Sequence, residues 1–160
     1  MSSTRQLVDV GDFAPEFRLP STHGEIAFVD YRGRRGTVLY FIREFGCMTC
    51  QMHALSLVKA HAQITESGFD VLVIGGGTET DASKMAQRIK APFPILADRE
   101  RSVYDRYGVD KALQIIQRSA AFVVDVDGRV SYAHRSTNPA AGLNLPDILE
   151  QVRQSSTATL

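Results

Sequence analysis

The chain has no excess of charge of either sign: 18 basic and 18 acidic residues leave a formal net charge of zero. Such a balance offers no electrostatic footprint for nucleic acid or for an anionic membrane surface. Its one basic cluster, Arg32-Gly33-Arg34-Arg35-Gly36, is short and reads as a solvated turn. Long hydrophobic runs are also missing. No window reaches the ~18 consecutive apolar residues that mark a membrane-spanning helix, and the opening Met1 to Asp9 has no apolar core of signal-peptide length. A cytoplasmic location is the resulting expectation. Cysteine is scarce, with Cys47 and Cys50 the two in the chain, which argues against a disulfide-stapled secreted scaffold. Staples are not needed at this size: 160 residues, 44% of them hydrophobic, suffice for one domain with a sizeable core.

What is present centres on Val38 to Ile64. The continuous apolar run Val38-Leu39-Tyr40-Phe41-Ile42 fits a central strand covered on both faces. A short loop, Arg43-Glu44-Phe45-Gly46, leads to Cys47-Met48-Thr49-Cys50. From there Cys50, Ala54, Leu57, Val58, His61 and Ile64 recur at helical spacing and predict one face turned toward a core. Both thiols thus stand at a helix N-terminus, where unpaired N–H groups and the helix dipole favour a thiolate. That placement can draw a cysteine pKa from ~8.5 to ~7 or below, and the thiolate is the nucleophile. The C-x-x-C spacing lets the second sulfur resolve an attacked or oxidised first one, so the pair reads as a redox centre.

The remainder frames this centre. Residues 1–10 are expected to be a flexible start, 11–153 the domain, and 154–160 a polar tail. A short strand is expected around Ile26 to Val29, and a second buried strand over Phe69 to Ile74 follows Gly68, which caps the cysteine helix. Gly75-Gly76-Gly77 fails the G-x-G-x-x-G pattern, because the last position falls on Thr80, and reads as a flexible strand-to-helix connection. A helix from Asp81 or Ser83 to about Lys90 is stopped by Ala91-Pro92-Phe93-Pro94. Phe93 to Leu96 is extended, and Arg101 to Tyr107 forms a short helix closed by Gly108. Ala120 to Val126 is a third long strand, which Asp127-Gly128 turns back into Arg129 to His134. A final helix starts at Pro146. Alternating strands and helices followed by a hairpin predict an α/β fold, a mixed central sheet with helices on both faces.

That order, with C-x-x-C opening the first major helix, resembles the thioredoxin fold over about Gly11 to Arg153. More narrowly it is similar to the peroxiredoxin branch, the alkyl hydroperoxide reductase/thiol-specific antioxidant family. Gly-Asp-Phe-Ala-Pro-Glu-Phe at 11–17, Phe-Pro-Ile-Leu-Ala-Asp at 93–98 and Phe-Val-Val-Asp-Val-Asp-Gly-Arg-Val at 122–130 carry the resemblance. The run from Phe41 to Cys50 resembles the subgroup with an F-x-R-x-F-G-C-x-x-C motif. The resemblance implies a thiol peroxidase without a cofactor, acting on hydrogen peroxide or an organic hydroperoxide and recycled by an external dithiol reductant of thioredoxin or glutaredoxin type. It also makes a homodimer plausible. Two other readings stay open: a thiol–disulfide oxidoreductase acting on protein disulfides, and a redox-sensing binding module.

Laid on the family's P-x-x-x-T-x-x-C pattern, the peroxide-reactive position is Cys50, Cys47 replaces the Thr, and Arg43 replaces the Pro. His53 stands where a Glu often does. Arg118 corresponds to the family's active-site Arg, one residue further from Phe122 than usual. The resemblance therefore favours Cys50 as the attacking thiolate and Cys47 as its resolving partner, although disulfide exchange would make Cys47 the first attacker. Arg43 and Arg118 are candidates to stabilise the thiolate and the departing peroxide oxygen; surface ion pairing is the competing role. His53 can tune Cys50 or simply face solvent. No metal is expected: His61 lies eight residues past His53, about 12 Å along a continuous helix, too far to close one tetrahedron.

Overall fold

The structure, a computed structural model, describes residues 7–109, 111–112 and 116–157. Its strands are β1 (Arg18–Ser21), β2 (Gly24–Ala27), β3 (Gly36–Phe41), β4 (Phe69–Gly75), β5 (Ile95–Ala97), β6 (Lys111–Ala112), β7 (Ile116–Gln117), β8 (Ser119–Val124) and β9 (Val130–Ser136). The helices are α1 (Met48–Glu66), α2 (Glu79–Ile89), α3 (Ser102–Arg106) and α4 (Leu145–Thr157). Among the described residues, seven strands form one sheet in the order β2-β1-β5-β4-β3-β8-β9, with β6 and β7 paired separately. β3 runs parallel to β4, and β4 to β5, as the helical crossovers require; β8 lies antiparallel to β3, and β9 to β8. The expected mixed sheet is present.

β3 shows why the apolar run is continuous. Its Val38 and Tyr40, with Ile42 just beyond, face the layer built on Cys50, Ala54, Leu57 and Ile64 of α1, with residues of α2 and α4. Leu39 and Phe41 face the opposite layer, with Phe17, Phe28, Val103, Tyr104 and Tyr107. Both faces are covered, so alternation disappears from the sequence. A cross-strand apolar stack extends through that second layer, where the Phe41 ring meets Tyr104 and Phe122 edge-on at 5.1 and 5.7 Å.

Several boundaries differ from the sequence expectation for local reasons. The strand expected at Ile26 to Val29 is Gly24–Ala27, because Phe28–Asp30 closes into a 3-10 turn. α2 begins at Glu79, two to four residues earlier than expected, because Thr78 and Asp81 form a reciprocal capping box. β1, β6 and β7 were not anticipated. The Asp127-Gly128 turn joins β8 to β9, with Gly128 at φ +91°. Of the expected flexible start, residues 1–6 lie outside the described residues, while Val8 is buried and its carbonyl accepts from Arg135 at 2.6 Å. α4 carries the chain to Thr157, and residues 158–160 of the expected tail lie outside the described residues. Among the described residues, no helix is long and apolar enough to cross a membrane.

Candidate active site

The site forms where β3 ends and α1 begins. Cys47 is the N-cap of α1: its backbone is extended (φ −75°, ψ 111°), and its sulfur accepts the N–H of Cys50 at 3.3 Å. A thiol here does what Ser or Asp does at ordinary caps, satisfying one of the helix's unpaired donors. Cys50, one turn in, points at the sheet. Its sulfur accepts the backbone N–H of Arg43 at 3.3 Å, and Cys47 and Tyr40 both act on its ionisation. Both cysteines are reduced and buried, Cys50 completely and Cys47 with 5% exposure.

Burial decides the protonation of Cys50. Desolvation, seconded by Cys47, pushes its pKa from 9.0 up to about 11, against the lowering effect of the Arg43 N–H and the Tyr40 hydroxyl. A helix terminus ordinarily contributes ~0.3–1 kcal/mol, less than the ~1.4 kcal/mol of a single pKa unit. Burial therefore works against the thiolate that the helix position alone favours.

A stability consequence follows. The folded chain holds the Cys50 proton more tightly than the unfolded chain does. The associated stability is complete below about pH 9 and is lost as pH rises toward about 11. Urea midpoints measured from pH 8 to 11 should fall more steeply for the native sequence than for Cys50→Ala. Parallel curves would contradict the burial account.

Three groups hold the loop ahead of α1. Gln51, buried on the first turn, donates to the Phe45 carbonyl at 2.8 Å and accepts from Arg88 of α2 at 3.2 Å. The Phe45 ring lies over the glycines that end β4. A Cβ at Gly75 would come within 2.2 Å of that ring, and one at Gly77 within 2.7 Å. The triple glycine thus makes room for the cysteine loop, with Gly76 likewise close to Arg101. From the other side, the Tyr104 hydroxyl lies 2.5 Å from the Ile42 carbonyl and 3.0 Å from that of Ile74, tying the end of β3 to β4.

The two arginines are placed by the sheet. Phe41 pairs with Ala120, so continuing the antiparallel register two residues sets Arg43 across from Arg118. The Nε atoms of Arg43 and Arg118 are buried without a hydrogen-bond partner among the described residues, as is Ser119 Oγ between them in register. Arg43 also makes a long exposed pair with Glu44 at 3.6 Å, a contact worth little. Buried N–H donors normally have partners, so these mark a place where an oxygen-bearing molecule would be received. His53 is half-buried, with Nδ1 at 3.3 Å from the Tyr40 hydroxyl, and burial lowers its pKa. Residues of α1 from His53 to His61 form one unbroken helix, and no group of three His, Cys, Asp or Glu among the described residues converges to hold a metal.

Cys47, Cys50, Arg43 and Arg118 are the site residues that the sequence offers; Tyr40, Gln51 and Ser119 emerge only from the structure. Tyr40 was hidden inside an apolar run, although its hydroxyl is a polar group that a fully covered strand must satisfy.

Comparison with known proteins fits this geometry. A family profile described as the AhpC/TSA family matches residues 10–133. The chain belongs to the AhpC/TSA family. Peroxiredoxin Bcp of Escherichia coli K12 is 28% identical over 130 residues, covering 76% of this chain and 82% of the relative. Thiol-disulfide oxidoreductase ResA of Geobacillus thermodenitrificans is 30% identical over 125 residues, covering 77% of this chain and 67% of that one. Among solved structures, Mycobacterium tuberculosis AhpC superposes with a TM-score of 0.83 at 17% identity, over 97% of each chain. Peroxidoxin BcpB from the same organism gives 0.81 at 20% identity, over 92% of this chain and 97% of that one. At such identities the structural likeness shows the thioredoxin-like fold, and the AhpC/TSA assignment rests on the sequence.

Proposed function

We propose that this AhpC/TSA chain is a thiol peroxidase in which Cys50 attacks the peroxide and Cys47 resolves the product. The observation that carries the reading is the sulfur pair at the head of α1, with Cys47 Sγ accepting the Cys50 N–H at 3.3 Å, next to strand ends that carry two buried arginine Nε atoms without a partner among the described residues. Cys50 Sγ bonds to one peroxide oxygen while the O–O bond breaks, its electron pair leaving with the other oxygen. Sulfur is oxidised to a sulfenic acid, and the peroxide is reduced to water or an alcohol once the leaving oxygen takes a proton. Arg118 and Arg43 stabilise the charge growing on that oxygen. The Cys47 thiol then attacks the sulfenic sulfur, the S–S bond forms and water departs. An external dithiol reduces the disulfide by exchange, with its own two thiols becoming the oxidised pair.

The short span favours this route, since Cys47 Sγ already accepts the Cys50 N–H and the helix need not unwind far. The exposed side chains of Met48, Met52 and Leu55, at one-turn intervals along α1 from beside Cys47, give a reductant an apolar surface to rest on. A cytoplasmic setting and a homodimer belong to the same proposal. The second reading, exchange with protein disulfides, is favoured by the identity to the ResA oxidoreductase. One assay separates them. Peroxide consumption driven by a thioredoxin-type dithiol, with insulin left unreduced, supports the peroxidase; insulin reduction without peroxide consumption supports exchange.

A further inference from the structure

Arg101 breaks two local rules at once. Among the described residues, Lys90 and Arg101 are the non-glycine positions at positive φ. Lys90 closes the C-terminal end of α2, where a left-handed residue is ordinary. Arg101 stands instead at the N-cap of α3, with φ +59° and ψ +25°, where extended backbone is the rule, and its side chain makes no capping bond. Asp98 supplies that cap: its Oδ2 accepts the N–H of Val103 at 2.9 Å and of Tyr104 at 3.0 Å. α3 therefore has no need of an arginine at 101. The second anomaly is the charge. The guanidinium is half-buried, and among the described residues none of its partners is a carboxylate. Strain and an unpaired charge at one position mark a residue kept for what it holds.

What it holds lies across the strand ends that frame Cys50. On one side Nη2 donates to the Gly76 carbonyl at 3.4 Å, just past β4, and Cζ lies 5.3 Å from the centre of the Tyr104 ring. Glycine at 76 leaves the room: a Cβ there would fall 2.6 Å from the Arg101 Cζ and 2.8 Å from its Nε. On the other side Nη1 donates to Gln117 Oε1. Gln117 is buried, and its Nε2 donates to the Val109 carbonyl at 2.7 Å and to the Arg118 carbonyl at 3.2 Å. Both ends of the amide are engaged, so its orientation is fixed. The next residue is Arg118, whose buried Nε has no partner among the described residues. Arg118 is thus carried on backbone that Gln117 clamps, and Arg101 clamps Gln117.

We propose that Arg101 is a positioning residue for the peroxide step, setting the Arg118 guanidinium through Gln117. Arg101 touches neither the sulfur nor the peroxide, so its purpose rests on the peroxidase reading above while its geometry does not. The planar fork suits the task. One group reaches Gly76 at the end of β4 and Gln117 at the start of β8 together, which the point charge of a lysine does not do. A displacement of about 1 Å in the reacting geometry can cost on the order of 100-fold, which gives a brace behind Arg118 its use.

The test uses the full reduced chain as Arg101→Met, Gln117→Met, Arg118→Gln and the double variant Arg101→Met/Arg118→Gln. Arginine Nε–H signals are read first by nuclear magnetic resonance, that of Arg118 being the one lost in Arg118→Gln. Arg101→Met and Gln117→Met should each shift it, whether or not the protein consumes peroxide. In the first turnover with hydrogen peroxide, Arg101→Met is expected to be on the order of 10–100-fold slower than the native sequence, and Arg101→Lys should stay slow. The double variant should match Arg118→Gln within about twofold, because the two residues act in series. A merely structural role would instead lower the urea midpoint and slow the Arg118→Gln background further. Should Arg101→Met lower that midpoint, Gln117→Met and its own double variant, which leave Arg101 in place, carry the same readings. An Arg118 signal unmoved in both single variants, native rates in both while Arg118→Gln is slow, or losses that multiply in the double would each overturn the role. If Arg118→Gln itself reacts at the native rate, the peroxide role of Arg118 fails, and the Arg118 signal alone decides whether Arg101 holds it.

Discussion

Cys50→Ser is expected to bring peroxide turnover down to the uncatalysed background, while Cys47→Ser keeps the first turnover and loses the rest. The asymmetry follows from the two positions. Cys50 has the inward-pointing sulfur, which accepts the Arg43 amide N–H and lies just past the strand ends where the register of β3 and β8 sets Arg43 across from Arg118. Serine there keeps the shape and removes the nucleophile, because an alkoxide is far harder to form than a thiolate. Cys47 caps the helix, and serine is itself a good N-cap, so Cys47→Ser should fold normally. Its product should be Cys50 sulfenic acid, stable enough to trap with a dione reagent and progressing to sulfinic acid under excess peroxide. Steady-state assays with a dithiol reductant, paired with single-turnover traces, check both halves. Sustained turnover by Cys50→Ser, or an unreactive first turnover in Cys47→Ser, would reverse the assignment.

Arg118→Gln is expected to slow the peroxide reaction by on the order of 10²–10³, the usual loss when one oxyanion donor is removed. Arg43→Gln should cost less. Arg118 and Arg43 each keep a buried Nε without a partner among the described residues, but the direct contact of Arg43 with Cys50 is through its backbone N–H, which glutamine retains. The side chain of Arg43 is also about a third exposed and paired with Glu44. Second-order rate constants with hydrogen peroxide, measured beside urea midpoints, separate loss of chemistry from loss of fold. Equal rates in Arg118→Gln would assign that guanidinium to structure.

Much of this site could be read before any coordinates. A fully covered strand writes itself as an uninterrupted apolar run, and the helix after it as a three- and four-residue rhythm, so β3 and α1 were plain. Their junction then fixed Cys47 and Cys50 at a helix head. β1 was not legible because Arg18–Ser21 is four residues with a proline and no alternation. The β6–β7 pair has two residues a side, too few for any period. Tyr40 counts as apolar in its run and Gln51 carries no signal of its own, since depth of burial and the neighbour across a layer are tertiary facts. The opposing effect of burial on Cys50 is hidden for the same reason. A helix terminus can be seen in sequence, but the desolvation that outweighs it cannot.

The most direct test of the central claim is rapid mixing of the fully reduced protein with one equivalent of hydrogen peroxide, followed by acid quench and peptide mass mapping. The account predicts that Cys50 is oxidised first and that the final product is a Cys47–Cys50 disulfide, two hydrogens lighter than the reduced peptide. Oxygen appearing first on Cys47, or both thiols persisting unoxidised, would contradict it.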